Sequence, residues 1–167
     1  MVATYLKCMM MVAAFHHLPS SVLPAIQRVE GGAPNLVSNN KNGTQDLGVM
    51  QINTRWIVPL METTHETGQV IYQRLKQDNC YNIAVAGAIL KLYLAETNGN
   101  LMQAIGNYHS HTPELNNHYQ FQIIQASYLN NNFSIRRKKA GKYLSPYQHR
   151  LMNVKKRRKF KKKTVKN

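Results

Sequence analysis

Apolar residues recur along most of this chain at helical spacing, and the exceptions are confined to one internal stretch. Tyr5, Cys8, Met9, Val12 and Phe15 fall on one face of a helix expected over about Thr4–His16. Leu18-Pro19-Ser20-Ser21 breaks that helix and offers a serine N-cap for a second one, apolar at Val22, Leu23, Ala25, Ile26 and Val29 and ending near Glu30. Residues Gly31 to Asp46 are rich in Gly, Asn, Ser and Pro. They read as an irregular loop with a small hairpin around Asn42-Gly43. Leu47 to Asn53 is a short apolar strip, and a further helix starts near Thr54. Asp78 to Asn82 supplies caps for a helix over about Asn82–Glu96 that is apolar on nearly every side, at Ile83, Val85, Ala86, Ile89, Leu90 and Leu92 among others. Such a helix belongs in the centre of a core. Asn98-Gly99 stops it. Another helix spans Asn100–Tyr108, and Thr112-Pro113-Glu114 opens a last one running to about Leu129. The pattern predicts a mainly α single domain with a small irregular or hairpin segment and no internal repeat.

Charge divides the chain differently. The net charge is +15 over 167 residues. From Met1 to Ile135 seven Lys/Arg balance seven Asp/Glu, whereas Arg136 to Asn167 holds fifteen Lys/Arg and no acid. The organisation expected is a neutral domain over 1–131 and a basic, flexible tail over 132–167. Such a tail acts as an electrostatic tether, with anionic membrane, acidic wall polymer and DNA as competing targets. A nucleic-acid-binding protein acting through this tail is one alternative reading. Its most basic part, KKRRKFKKK, carries little aromatic interleaving for stacked bases. No apolar run reaches the ~18–20 residues needed to cross a bilayer. The first residues contain Lys7, a short apolar patch from Cys8 to Phe15 and no clean small-residue cleavage site, which makes a poor signal peptide. Cys8 and Cys80 are the only cysteines: buried thiols in a cytosolic protein, a single bridge in an exported one.

Little in the sequence points to metal or cofactor chemistry, and none is expected. His65-Glu66 lacks a second histidine, and His109-x-His111 has no partner at ligand spacing beyond His118, which alone does not make a metal motif. Glu30 stands out. It ends an apolar helix, where the negative dipole end disfavours a carboxylate, and the same dipole with apolar neighbours raises the pKa, as a general acid requires. Arg28 points off another face. Gly31 and Gly32 are expected to leave open space for a ligand. The plainer alternative is a solvated glutamate at a helix end.

Glu30, the strip Gly48-Val49-Met50-Gln51-Ile52-Asn53, and Ile105-Gly106-Asn107-Tyr108-His109 resemble, in order and spacing, the three motifs of soluble lytic transglycosylases. Over about Cys8 to Tyr128 the finer form, V-E-G-G, then N-x-N-G-T-x-D-x-G-V-M-Q-I-N, then G-N-Y-H-S-x-T-P, is similar to the small enzymes attached to conjugation and to type IV and type III secretion machines. Gly31 stands where the commoner motif has Ser, and His109 where it has Asn.

The resemblance implies a lysozyme-like fold of the goose type and cleavage of the MurNAc–GlcNAc bond of peptidoglycan with Glu30 as the single catalytic carboxylate. It implies that Tyr108 hydrogen-bonds Glu30 or the acetamido group, and that Gln51 and Asn53 bind sugar hydroxyls or amides. Asn40 aligns with a serine facing the same groove, and His109 lies beside the substrate. Met50 reads as core. With the substrate outside the cytoplasm, Cys8 and Cys80 become a disulfide candidate in a monomer of the periplasm or cell envelope. A hydrolytic muramidase on the same fold is the other alternative. It needs a carboxylate to hold water, and Asp46, which looks like a loop residue, is the acid placed for it.

Overall fold

The computed structural model describes residues 2–132, with side chains described over 5–128. The basic tail expected over 132–167 lies, but for its first residue, outside them. Helices α1 (Val2–Phe15) and α2 (Val22–Glu30) lead into three short strands, β1 (Val37–Asn39), β2 (Gln45–Leu47) and β3 (Ile52–Asn53). A 3-10 turn (Thr54–Trp56) then opens α3 (Ile57–Thr64), followed by α4 (Gly68–Gln77), α5 (Asn79–Glu96), α6 (Leu101–His109) and α7 (Pro113–Asn132). The strands form one antiparallel sheet in the order β1-β2-β3, with Ser38 opposite Asp46 and Asp46 opposite Asn53. The fold is the mainly α, lysozyme-like arrangement expected from the sequence.

The central helix is α5. Asp78 caps it by accepting the Tyr81 backbone N–H at 3.0 Å. Ile83, Ala86 and Leu90 are fully buried against α1, α4 and α6, while Leu92 and the small Ala84 and Ala88 face outward. Being apolar all round therefore did not mean being buried all round. Gly87 lets α1 approach closely: a Cβ there would lie 2.3 Å from Val12. A disulfide between Cys8 and Cys80, with Cα atoms 5.5 Å apart, ties α1 to the first turn of α5 across a separation of 72 residues. In the chain-entropy account, closing a loop of that length disfavours the unfolded chain by about 4 kcal/mol.

Several local expectations need correction. Ser21 flanks α2 but makes no side-chain capping bond, because its own backbone is already helical. Phe15 is 79% exposed and does not join the inward face made by Met9 and Ala13. The region after Thr54 is two helices: His65, at φ 58°, ends α3, and the Thr67 side chain caps α4 by accepting the Val70 N–H. Asp46 is no loop residue; it is the middle residue of β2.

A buried amide holds the sheet against the helices. Asn82 on α5 is 1% exposed. Its Nδ2 donates to the carbonyls of Leu47 and Leu75, both at 2.8 Å, and its Oδ1 accepts the Met50 N–H at 2.8 Å. These bonds tie the turn from β2 to β3 to the end of α4 and leave neither amide hydrogen unpaired, as a buried amide requires. Gly48 in that turn has φ +70°, and a Cβ would lie 2.5 Å from the Leu75 carbonyl oxygen. Among the described residues no helix is long and apolar enough to cross a membrane.

Candidate active site

A cleft of about 220 Å³ opens between the end of α2, the sheet and the end of α6. Glu30, Asn40, Asp46, Gln51, Asn53, Tyr108 and His109, all singled out in the sequence, line it together with Trp56.

Glu30 enters as the last residue of α2. Gly31 follows in the left-handed conformation at φ 65°, its N–H returning to the Gln27 carbonyl. A side chain at Gly31 would meet nothing within 4 Å, yet would be strained at that φ. Gly32 is different and corrects the sequence reading. A Cβ there would lie 2.5 Å from the carbonyl oxygens of Gly48 and Val49. Its missing side chain lets two backbones pack, and the open space belongs to Gly31 alone.

The partner of Glu30 also differs from expectation. Of the two partners expected for Tyr108, Glu30 is not hydrogen-bonded to it; its hydroxyl donates to the Met50 carbonyl at 3.0 Å, binding α6 to the sheet turn. The hydroxyl on Glu30 comes from Tyr119, which donates to Oε1 at 2.6 Å. Tyr119 projects from α7 and is buried, and the His109 ring stacks on it at 4.8 Å, almost parallel. Nothing in the third motif pointed to Tyr119. Its one sequence signal is its place on the inward face of α7 with Asn116, Ile123 and Ala126.

Burial raises the Glu30 carboxyl above the usual carboxylate range. The Tyr119 hydrogen bond works against that, and the negative charge of Asp46 adds to it. Glu30 also terminates a helix, where the dipole disfavours negative charge. Partial burial lowers the His109 imidazole.

Across the cleft Asp46 organises the sheet side. Its Oδ2 accepts from Asn40 Nδ2 at 2.9 Å and its Oδ1 from Asn53 Nδ2 at 2.7 Å. Both amides also donate to the Thr44 hydroxyl oxygen, at 3.1 and 3.0 Å. Gln51 is held as firmly. Its Oε1 accepts from the Ser38 hydroxyl at 2.6 Å, and its Nε2 donates to the Gly48 carbonyl at 2.8 Å. Its backbone sits at φ +50°, a costly conformation for a residue with a Cβ. Met50 is fully buried, as expected, and contributes backbone atoms only. His109 and His111 diverge: His111 pairs with Glu96 at 2.9 Å, away from Glu30. Among the described residues no three His, Cys, Asp or Glu side chains converge as a metal site.

The arrangement is one raised acid facing a wall of carboxamides with fixed orientation. That is the equipment for protonating a leaving group on a hydroxylated substrate. A family model, the transglycosylase SLT domain, matches residues 7–127. The chain belongs to that family, and its general activity follows: a lytic transglycosylase acting on peptidoglycan. Comparison with curated proteins found no match.

Proposed function

We propose that the chain cleaves the MurNAc–GlcNAc bond without water, using Glu30 for both proton transfers. The observation that carries this reading is the pairing of burial with the Tyr119 hydrogen bond at Glu30. Burial shifts the carboxyl toward its protonated form, the form that donates to the glycosidic oxygen. The bond to the leaving sugar then breaks, and positive charge develops on the muramic acid residue. Its own N-acetyl group stabilises that centre, so a second carboxylate is not required. The Tyr119 hydroxyl, 2.6 Å from Oε1, stabilises the carboxylate that Glu30 has become. Glu30 then accepts the proton of the muramic acid primary hydroxyl as that oxygen closes the anhydro ring, and the site is reset. Asn40, Gln51, Asn53 and His109 bind the sugars, with Tyr108 positioning the strip that carries Gln51.

A second reading is hydrolysis, and the position of Asp46 in the same cleft favours it. Asp46 would there hold a water. Against it, both Asp46 oxygens already accept amide hydrogens. Digestion of purified peptidoglycan with mass spectrometry of the products separates the readings. Anhydro-muropeptides lost on Glu30→Gln are expected; reducing muramic acid ends would establish the hydrolase.

We further propose that the enzyme works in the periplasm or cell envelope as a monomer, opening the wall locally for a secretion or conjugation apparatus. The Cys8–Cys80 bond suits an oxidising compartment. The domain over 1–131 does the chemistry, and the cationic tail over 132–167 tethers it to an anionic surface, in preference to DNA. Truncation after Ile135 should leave turnover of soluble glycan fragments unchanged and weaken binding to anionic vesicles, most at low salt. Equal vesicle binding by the truncated chain would refute the tether.

A further inference from the structure

A second concavity, of about 350 Å³, lies on the α6–α7 seam and does not include Glu30 in its lining. Its lining is unusual in kind: the carboxamides of Asn100, Gln103, Asn107, Asn116, Asn117 and Gln120 converge there, with His111 at one edge. The floor is rigid. Asn107 and Asn116 are 5% and 6% exposed. Asn116 donates to Asn107 Oδ1 at 2.7 Å and to the Ser110 carbonyl at 3.1 Å, while Asn107 donates to Glu96 at 3.0 Å. Gly106 makes room for this floor, since a Cβ there would collide with the Asn116 carboxamide. The walls are not engaged in the same way. The exposed side chains of Gln103 and Asn117 have no protein partner among the described residues, so their donors and acceptors are available to a ligand.

This chemistry selects a class. The pocket lining holds no Lys, Arg, Asp or Glu, so it offers little to a phosphate or a cation. Its neighbouring acid, Glu96, is already engaged by Asn107 and His111. Neutral amides that both donate and accept match hydroxyl and acetamido groups.

The pocket is also joined to the active-site cleft by rings. Trp56, which lines the cleft, meets Tyr93 edge-on at 6.2 Å, and Tyr93 meets His111 edge-on at 5.3 Å. Tyr93 is nearly covered, whereas Trp56 is half-buried and His111 exposed. The accessible rings, Trp56 by the cleft and His111 by the pocket, are thus linked through the covered Tyr93. Accessible aromatic rings flanked by hydrogen-bonding groups suit sugar rings.

We propose that the α6–α7 pocket is a distal binding site for an N-acetylated sugar of the same glycan strand that occupies the cleft, reached over Trp56 and His111. The inference rests on the glycan-cleaving reading of the cleft. It makes strand length a determinant of affinity: a short fragment fills the cleft alone, and a long one reaches the pocket as well.

The test uses the full chain carrying Glu30→Gln, so that bound sugar is not turned over, and β-1,4-linked N-acetylglucosamine oligomers of three and six units as probes. Backbone amide shifts report where each probe sits, and calorimetry reports affinity. The hexamer is expected to perturb Gln103, His111 and Asn117 together with cleft residues, and the trimer the cleft alone. Replacing the exposed pair, Gln103→Leu with Asn117→Leu, should weaken the hexamer about tenfold, the equivalent of about 1.4 kcal/mol, and leave the trimer unchanged. Hexamer shifts confined to the cleft, or undiminished hexamer affinity in the double variant, would overturn the distal site while leaving the cleft reading intact. No shift at either place with either probe would overturn both.

Discussion

Glu30 and Asp46 face one cleft from opposite sides, and the protein treats them in opposite ways. Glu30 comes from the helical side, at the dipole-disfavoured end of α2, and is met by a single phenol at 2.6 Å. Asp46 comes from the sheet side, and each of its oxygens accepts from an asparagine amide, at 2.9 and 2.7 Å. A carboxylate with few donors and much burial is easily protonated; one saturated with donors is a fixed anchor. In the proposed mechanism the helices thus supply the group that exchanges a proton and the sheet the groups that hold the substrate, with Asp46 fixing the amides of Asn40 and Asn53.

The sharpest way to break this division is to remove each charge without changing shape. Glu30→Gln should lower peptidoglycan cleavage by about 10²–10⁴-fold or more, because in the proposed mechanism one residue serves both proton transfers. Asp46→Asn should cost about tenfold, mainly in KM, since an amide donor would then face the donors of Asn40 or Asn53 and loosen the clamp. Steady-state kinetics on both variants decide it. Equal losses would mean that Asp46 takes part in the chemistry, as the hydrolytic reading requires.

The junction between the two sides is tested at the neighbouring glycines. Gly32→Ala should destabilise the fold by about 1–3 kcal/mol, since the new methyl meets backbone that cannot move aside. Gly31→Ala should cost about 1 kcal/mol through its left-handed φ alone, with open space around it. Denaturant midpoints measure both, and a reversed order would contradict the packing described.

Smaller shifts sharpen the electrostatics at Glu30. Tyr119→Phe removes a hydrogen bond that favours the ionised carboxylate, so the Glu30 pKa rises further. Because catalysis needs the protonated form, the alkaline limb of the pH–rate profile should move to higher pH; movement to lower pH would contradict the role given to Tyr119. Smallest is an effect on stability. The folded carboxyl lies above its ordinary value of 4.5, so the stability associated with the neutral form is present below that pH and lost as pH rises through the folded value. Glu30→Gln should therefore raise Tm at pH 7, with the gain shrinking in acid. A Tm gain of the same size below pH 4 would show that charge is not its cause.

Helical periodicity, the glycine stops and the asparagine and aspartate caps were enough to locate most helices, the hairpin at Asn42-Gly43 and the acid at the end of α2, because those signals are local: they act within a few residues of the chain. The cleft's membership was legible for a related reason, since the motifs holding Glu30, Gln51, Asn53 and Tyr108 are short and ordered. What stayed hidden depended on contacts between distant segments. Tyr119 reaches Glu30 across 89 residues, Asn82 reaches Leu47 across 35, and Gly32 abuts a turn sixteen residues on. Those pairings follow from how α7, α5 and the sheet pack around one core, and no periodicity encodes them. The sequence by itself placed a carboxylate at the end of α2; only the tertiary structure decided which hydroxyl holds it, which glycine is open, and which amides the opposing carboxylate binds.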